Sequence, residues 1–596
     1  MKNFLHYFFG ILTKEEKKKF IKYVVVLFFG SISAVFGISA ILPFIAIIVQ
    51  PEKVTSISYF QGYSYQVLVT VFAIVIVLAF WLKNGVAALL LFYQSKYLGR
   101  LIYRIQVRLF KSYMHMPYEQ HLNRSTPTLI RNISVETNQF SNGIVSPLGI
   151  FLTDVFAIFF VLIMLLVINW MFTLVIFISV GVVIALFLYL LRHSAKVQGE
   201  KRAEAAMNVS KITLDGLNGI KESKLYHLEE AFMNDFDRAS KMLAKASVFS
   251  QVFQQSPKML IEVTALTAVM LVISVFILSG YPSKDVLVLL SVFGVAAAQL
   301  LPSLSRISQA LANMRYSFPA MKNLYIEMAE IKEEPLGDVG IKCPGLEPVT
   351  FSKDLKILEV HYDYRDGTQA LRGVSLEIEY GKKTAIVGRS GAGKTTLIDL
   401  LMGFYPAKSG CVKVDGVEIS EDNFLNFQSL FAYIPQSIIL YDKSIAENIA
   451  FGQSRENIDH ELVLKCLEMA QLLEFVMGLP KKEKSFVGEN GLRLSGGQRQ
   501  RLGIARALYR EPKILVMDEA TSALDNETEG DITQLISQLK RLTVITIAHR
   551  LTTIKNYDVI CVMDKGRIIS KGSYDSLVGS CEVFQQMVAQ GEKNHD

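Results

Sequence analysis

Cysteine is scarce in this chain: five in 596 residues, and none before Cys343. Cys343, Cys411, Cys466, Cys561 and Cys581 form no CxxC pair and no metal-ligand spacing. That excludes a disulfide framework or a zinc module and suits reduced, cytosolic thiols. Charge is also sparse, 20% of residues against 51% hydrophobic, and mean hydropathy is positive. Soluble domains carry about a quarter charged residues, so the deficit points to membrane spans. It is unevenly spread, with long apolar stretches up to about Ser305 and ordinary globular composition from Phe351. The net charge of +7 does not indicate nucleic acid, because the cations cluster beside apolar stretches rather than along a soluble face.

A helix needs about 20 apolar residues to cross a bilayer core. Six stretches satisfy this: Ile21–Val49, Gln66–Phe92, Ile144–Ile168, Trp170–Leu191, Met259–Leu278 and Val286–Leu304. A turn is expected at Asn169–Trp170. Lys14, Lys17, Lys18, Lys19 and Lys22 precede a run longer than the apolar core of a secretory signal, so that run reads as a span. The segment between spans two and three carries Lys96, Arg100, Arg104, Arg108, Lys111, Arg124 and Arg131. The one between four and five is equally basic, from Arg192 to Lys245, whereas the intervening loops are nearly uncharged. The positive-inside bias places both termini and both long loops in the cytoplasm. Those loops read as helical continuations of the spans. The expected division is a transmembrane domain over 1–333, a Pro/Gly-punctuated linker over 334–350, a soluble domain over 351–591 and a tail over 592–596.

In the soluble part, a strand-like run from Lys383 to Val387 leads into Gly388, Arg389, Ser390, Gly391, Ala392, Gly393, Lys394, Thr395 and Thr396. This is a P-loop. Glycines let backbone N–H groups converge on phosphate, and the next helix turns its positive end there. Lys394 would reach the β/γ-phosphates of ATP, and Thr395 would hold Mg²⁺. A second apolar strand, Ile514–Met517, ends in Asp518 and Glu519. Asp518 suits the metal, and Glu519 stands where a carboxylate can polarise the attacking water.

Leu494-Ser495-Gly496-Gly497-Gln498 supplies a second anion site at a helix start and matches the signature of ATP-binding-cassette (ABC) transporters in full. The chain therefore resembles an exporter-type half-transporter, a membrane α-helical bundle of six spans fused to an α/β P-loop NTPase cassette. That resemblance implies further roles: Tyr364 stacks on adenine, and Gln436 touches Mg²⁺ and the attacking water. It places Val487-Gly-Glu489 in the exporter-type loop and Asp525 in the D-loop, with His549 contacting the γ-phosphate. It also implies a head-to-tail homodimer in which Ser495 of one copy faces Lys394 of the other. Coupling helices that dock on the cassette are expected at Thr126–Val135 and Leu214–Lys224.

Ionisable residues inside spans are costly and mark function by default. Lys83, Lys258 and Arg306 sit at similar depth on different spans and could hold a phosphate or pyrophosphate; Asp154 and Glu262 are also intramembrane. Lys83 and the stretch Leu301-Pro-Ser-Leu-Ser-Arg306 resemble half-transporters that flip polyprenyl-diphosphate-linked oligosaccharides. The outer loop between spans one and two is short for that type. A drug or peptide exporter is the alternative, and the lack of cysteine before Cys343 argues against the subclass with a cysteine-protease domain. The resemblance implies ATP and Mg²⁺ as cofactors, with membrane lipids and a lipid-linked or amphipathic substrate as partners. It implies a bacterial inner-membrane location with the cassette in the cytoplasm.

Overall fold

The computed structural model describes residues 2–33, 63–168, 204–278, 283–330, 349–518, 542–548 and 551–593. Positions 123, 365, 421 and 552 are exceptions, and scattered positions between 41 and 48 and between 170 and 201 are also described. The chain divides into two compact units, 1–116 with 123–336 and 117–122 with 337–596.

The first unit is helical. Helix Lys14–Ser31 starts at Thr13, whose hydroxyl accepts from the Glu16 N–H while the Glu16 carboxylate accepts from the Thr13 N–H at 2.8 Å. This reciprocal cap satisfies two donors that a helix start leaves open. The same buried carboxylate lies 3.5 Å from Arg108, which also donates to the Ile11 carbonyl at 2.7 Å. One guanidinium thus ties the turn after helix Lys2–Ile11 to helix Tyr65–His115. That helix has 51 residues, roughly 77 Å of rise against a hydrocarbon core of about 30 Å. Trp81, Leu82, Leu89 and Phe92 are exposed along its apolar half, as suits a lipid-facing surface. Beyond it Leu101, Ile105, Leu109 and Tyr113 recur every fourth residue and are buried, the stripe of a packed soluble helix.

Residues Thr126–Ile168 form a second helix long and apolar enough to cross a membrane. It carries two π-turns, Asn132–Glu136 and Ser141–Val145. Helices Glu229–Leu278 and Ser283–Tyr316 bring the fifth and sixth apolar stretches, the latter with Pro302 inside. Much of the first apolar stretch, most of the fourth and the turn at Asn169 lie outside the described residues.

The segments expected to dock on the cassette, Thr126–Val135 and Leu214–Lys224, both fall within the first unit. Residues 126–135 belong to the long helix of the first unit, whereas 117–122 cluster with the second. Met116 is extended (φ −64°, ψ 136°), the conformation a following proline imposes. Pro117 therefore ends the long helix, and the short helix Tyr118–Leu122 begins anew. Within the second unit Tyr118 packs on Phe404 and Tyr405, ring centroids 5.2 and 6.1 Å away. Residues 214–224 lie in the first unit and are broken at Gly219 before helix Ile220–Leu225.

The rest of the second unit is built on two sheets. Strands β1 (Asp354–Asp363), β2 (Gln369–Glu379), β4 (Ser409–Val414) and β5 (Val417–Glu418) form an antiparallel sheet in the order β2-β1-β4-β5. Strands β3 (Lys383–Gly388), β6 (Phe431–Ile434), β7 (Ile514–Asp518), β8 (Thr543–Ile547), β9 (Val559–Asp564) and β10 (Arg567–Gly572) form the other, ordered β10-β9-β3-β8-β7-β6. All its pairings but β9–β10 are parallel. Ala385, Ile386 and Val387 are fully buried, as the unbroken apolar run of a parallel strand covered on both faces requires. Each such aliphatic side chain contributes about 1.5–3 kcal/mol. A separate apolar core joins helices Ile445–Ile449, His460–Met469 and Gly496–Leu508 to β6 and β7.

Candidate active site

Strand register gathers the expected nucleotide residues at one edge. Ile386 of β3 pairs with Ile547 of β8, and Ile547 pairs with Asp518 of β7. Gly388 thus ends β3 two residues past this row, His549 follows β8 by two, and Glu519 follows Asp518. Gln436 emerges from β6, whose Ile434 pairs with Met517. This is the carboxyl edge of a parallel sheet, where such folds bind ligands. Glu519, Asp525 and His549 lie outside the described residues, so only their sequence positions place them here.

The loop from Gly388 to Gly393 has the shape its glycines permit. Gly391 and Gly393 take φ of +77° and +96°, a region that L side chains rarely occupy. A Cβ on Gly388 would lie 2.4 Å from the Met563 carbonyl, and one on Gly393 would lie 2.8 Å from the Ala370 carbonyl. A Cβ on Gly391 would meet no non-neighbouring atom within 4 Å, so the loop is packed on its protein side and open at its crest. Lys394 begins helix Lys394–Leu401 and is buried, its Nζ donating to the Gly388 and Arg389 carbonyls at 2.8 and 3.2 Å. The ammonium thereby lies along the loop's own edge. Thr395 follows on the first helical turn. Open crest, ammonium, hydroxyl and the Asp518 carboxylate are the donor set a magnesium nucleotide takes.

Two neighbours of Asp518 escaped the sequence reading. The Tyr433 hydroxyl donates to Asp518 Oδ2 at 3.3 Å. Asp399, on the P-loop helix, has its carboxyl pushed up to about 6 by burial and then by the Asp518 charge. An acidic group four residues after Thr395 was visible, but its approach to β7 is a tertiary fact. The Tyr364 hydroxyl bonds to Thr396 Oγ1 at 2.7 Å, and its ring meets Tyr362 and Tyr405 edge-on. The residue expected to stack on adenine is therefore anchored beside the P-loop helix.

Ser495 caps helix Gly496–Leu508. Its hydroxyl accepts from the Gln498 N–H at 3.2 Å, and the Gln498 side chain accepts from the Ser495 N–H at 2.9 Å. Ser495 is exposed, with Gly496 and Gly497 behind it, so the helix start faces outward. The Ser-x-x-Gln spacing announced this cap in the sequence.

The membrane cations are less alike than the sequence suggested. Arg306 is forked onto Asp154: Nε donates to Oδ2 at 2.8 Å, Nη2 donates to Oδ1 at 2.6 Å, and Nη2 also reaches Ser303 Oγ at 2.9 Å. The Asp154 side chain is 6% exposed and that of Arg306 is 50% exposed. Lys83 stands over the Phe80 ring at 5.4 Å and is close enough to Arg306 for the two charges to repel. Lys258 lies on helix Glu229–Leu278, its side chain outside the described residues. Both members of the Arg306–Asp154 pair were legible as intramembrane charges; their partnership across separate helices was not.

Residues 19–299 match the family described as ABC transporter transmembrane region, and residues 371–522 match the family described as ABC transporter. The ATP-dependent lipid A-core flippase of Saccharophagus degradans is 31% identical over 500 residues, 83% of each chain. That of Pseudoalteromonas translucida is 30% identical over 519 residues, 85% of this chain and 86% of its own. A solved bacterial Atm1-family ABC exporter with ATP bound shares the fold at a TM-score of 0.74 and 24% identity, covering 96% of this chain and 98% of its own. With a P-loop, a capped signature helix and a membrane region in one polypeptide, this chain belongs to the ABC transporters, as an exporter-type half-transporter whose cassette is an ATPase that drives movement across a membrane.

Proposed function

We propose that the protein is a homodimer in a bacterial inner membrane, cassettes in the cytoplasm, that moves a phosphate-bearing lipid out of the inner leaflet. The observation that carries the cargo reading is Lys83 beside the Arg306–Asp154 pair. Two cations and one carboxylate, on three separate helices, leave one net positive charge among otherwise apolar stretches. A lipid whose headgroup is anionic satisfies that charge as it leaves the leaflet, and Lys258 would add to it. Charge-assisted phosphate contacts contribute roughly 1.5–3 kcal/mol each. The relatives' names favour a glycolipid of the lipid A-core type, and the sequence favours a polyprenyl-diphosphate-linked oligosaccharide. Both are phosphorylated glycolipids.

In the cassette, the N–H groups of Gly391, Ala392, Gly393 and Lys394 would cradle ATP phosphates, with Lys394 swinging from the loop carbonyls onto them. Arg389, Ser390 and Thr396 would line the same loop, and Tyr364 would stack on adenine. Thr395, Gln436 and Asp518 would hold Mg²⁺, which when bound neutralises phosphate charge. Tyr433 orients Asp518 from the side. Glu519 would polarise the attacking water, oriented by Gln436, and His549 would contact the γ-phosphate. Ser495, Gly496, Gly497 and Gln498 of the partner chain would close over the same nucleotide, with Asp525 at the dimer seam.

ATPase activity of the full chain in nanodiscs, titrated with candidate cargoes, tests the reading. A phosphorylated glycolipid should stimulate hydrolysis, and its dephosphorylated form should not. The better of lipid A-core and polyprenyl-diphosphate oligosaccharide names the branch. Stimulation by an uncharged or cationic drug, with none by either glycolipid, would move the protein to the drug-exporter reading.

A further inference from the structure

The signature helix is bolted to the loop that follows Gln436. Arg506, on helix Gly496–Leu508, donates from Nη1 to the Ile439 carbonyl at 2.9 Å and from Nε to the Asn448 carbonyl at 2.8 Å. Its Nη2 reaches Asn448 Oδ1 at 2.9 Å. The guanidinium also lies over the Phe451 ring at 5.4 Å, and that ring stacks on Tyr441 at 4.8 Å. Asn448 is fully buried and closes the loop on itself, accepting from the Tyr441 N–H and donating to the Tyr441 and Ser444 carbonyls.

One turn earlier on the same helix, Gly503 makes the seat for the loop. A Cβ there would lie 2.0 Å from Ile438 Cδ1 and 3.2–3.3 Å from its inner carbons. Ile438 and Ile439 are the second and third residues after Gln436, so both contacts fall just beyond the nucleotide-sensing residue. Three neutral acceptors and a ring, taken by one planar guanidinium, fix direction as well as distance; an ammonium has no such fork. Ser495 stands eleven residues before Arg506 on a single rigid helix, roughly 16 Å away.

We propose that Arg506 and Gly503 are positioning residues that lock the signature helix to the loop after Gln436. Occupancy of one chain's nucleotide, sensed at Gln436, then sets where Ser495 meets the partner's nucleotide. This rests on the composite-site reading above and adds residues and a direction to it. Both act through Ser495.

The test uses full-length heterodimers, purified through two different tags into nanodiscs. One chain carries Glu519→Gln, which disables its own site. The live site then combines the wild-type chain's P-loop with the Ser495 of the Glu519→Gln chain. Arg506→Gln on the Glu519→Gln chain should lower kcat about tenfold or more while KM for ATP changes far less. The same substitution on the P-loop-donating chain should cost clearly less. Arg506→Lys should fail to restore the rate, because it keeps the charge and loses the fork. Gly503→Ala on the signature-donating chain approaches the lock from another atom and should lower kcat likewise, with Ile438→Ala in the same chain recovering part of it. Equal losses whichever chain carries Arg506→Gln, or no loss from either Arg506→Gln or Gly503→Ala, would overturn the inference. Ser495→Arg on the signature-donating chain separates the two readings. If it leaves the live site active, the composite site itself is wrong, whatever Arg506 does.

Discussion

Glu447 shows how one side chain sets local stability. Its carboxylate accepts from Arg455 Nε at 2.6 Å and from the Ser444 hydroxyl and N–H at 2.7 and 3.1 Å. The Arg455 bond chiefly, with the Ser444 bonds, holds its pKa down from 4.5 to about 2. A carboxylate with a depressed folded value adds stability that is complete above its unfolded value and disappears as pH falls through the folded one. The window is therefore from 4.5 down to about 2. Wild type should melt above Glu447→Gln at neutral pH, and the gap should close progressively below 4.5. Thermal unfolding of the full chain in detergent, followed by circular dichroism at several pH values, measures this. A gap independent of pH would show that the carboxylate's charge is not what matters.

At the scale of elements, helix contacts in the first unit depend on missing side chains. A Cβ on Gly149 would lie 2.0 Å from the hydroxyl of Tyr23, which is fully buried. A Cβ on Gly99 would meet nothing within 4 Å beyond its own helical turn. Gly149→Leu should destabilise by roughly 1–3 kcal/mol, as overpacking does, whereas Gly99→Leu should be near neutral. Detergent-solubilised melting temperatures compare the pair, and equal effects would refute the packing of helix Lys14–Ser31 against helix Thr126–Ile168. Local signals carried far in this chain. The P-loop glycines, the helix start at Ser495 and the unbroken apolar strands each needed only neighbours within a few residues, and each element lies where it was read. Tertiary facts did not show: the Arg306–Asp154 fork joins residues 152 apart in sequence, and Tyr433 meets Asp518 across two strands. The break before helix Tyr118–Leu122 was legible, since Pro117 marks it; that 117–122 cluster with the second unit was not.

For the whole molecule, activity should require two chains. Lys394→Ala and Ser495→Arg chains should each be inactive alone as homodimers. Mixed, they should recover one intact composite site per heterodimer, with the Lys394 of one facing the Ser495 of the other. ATP hydrolysis by the mixture measures this, and robust hydrolysis by a strictly monomeric preparation would contradict it. The family was legible because ATP chemistry is written in short motifs. The cargo was not, because the charges proposed to meet it pair across helices far apart in sequence. The most direct test of the account is ATP-driven movement of a phosphorylated glycolipid between leaflets of proteoliposomes. Wild type should move it only with hydrolysable ATP. Lys83→Gln should lower the rate about tenfold, one charge-assisted contact's worth. The double change Asp154→Asn/Arg306→Gln should outperform Arg306→Gln alone, which strands a buried carboxylate. No ATP-dependent movement by wild type, or equal movement by Lys83→Gln, would contradict the account.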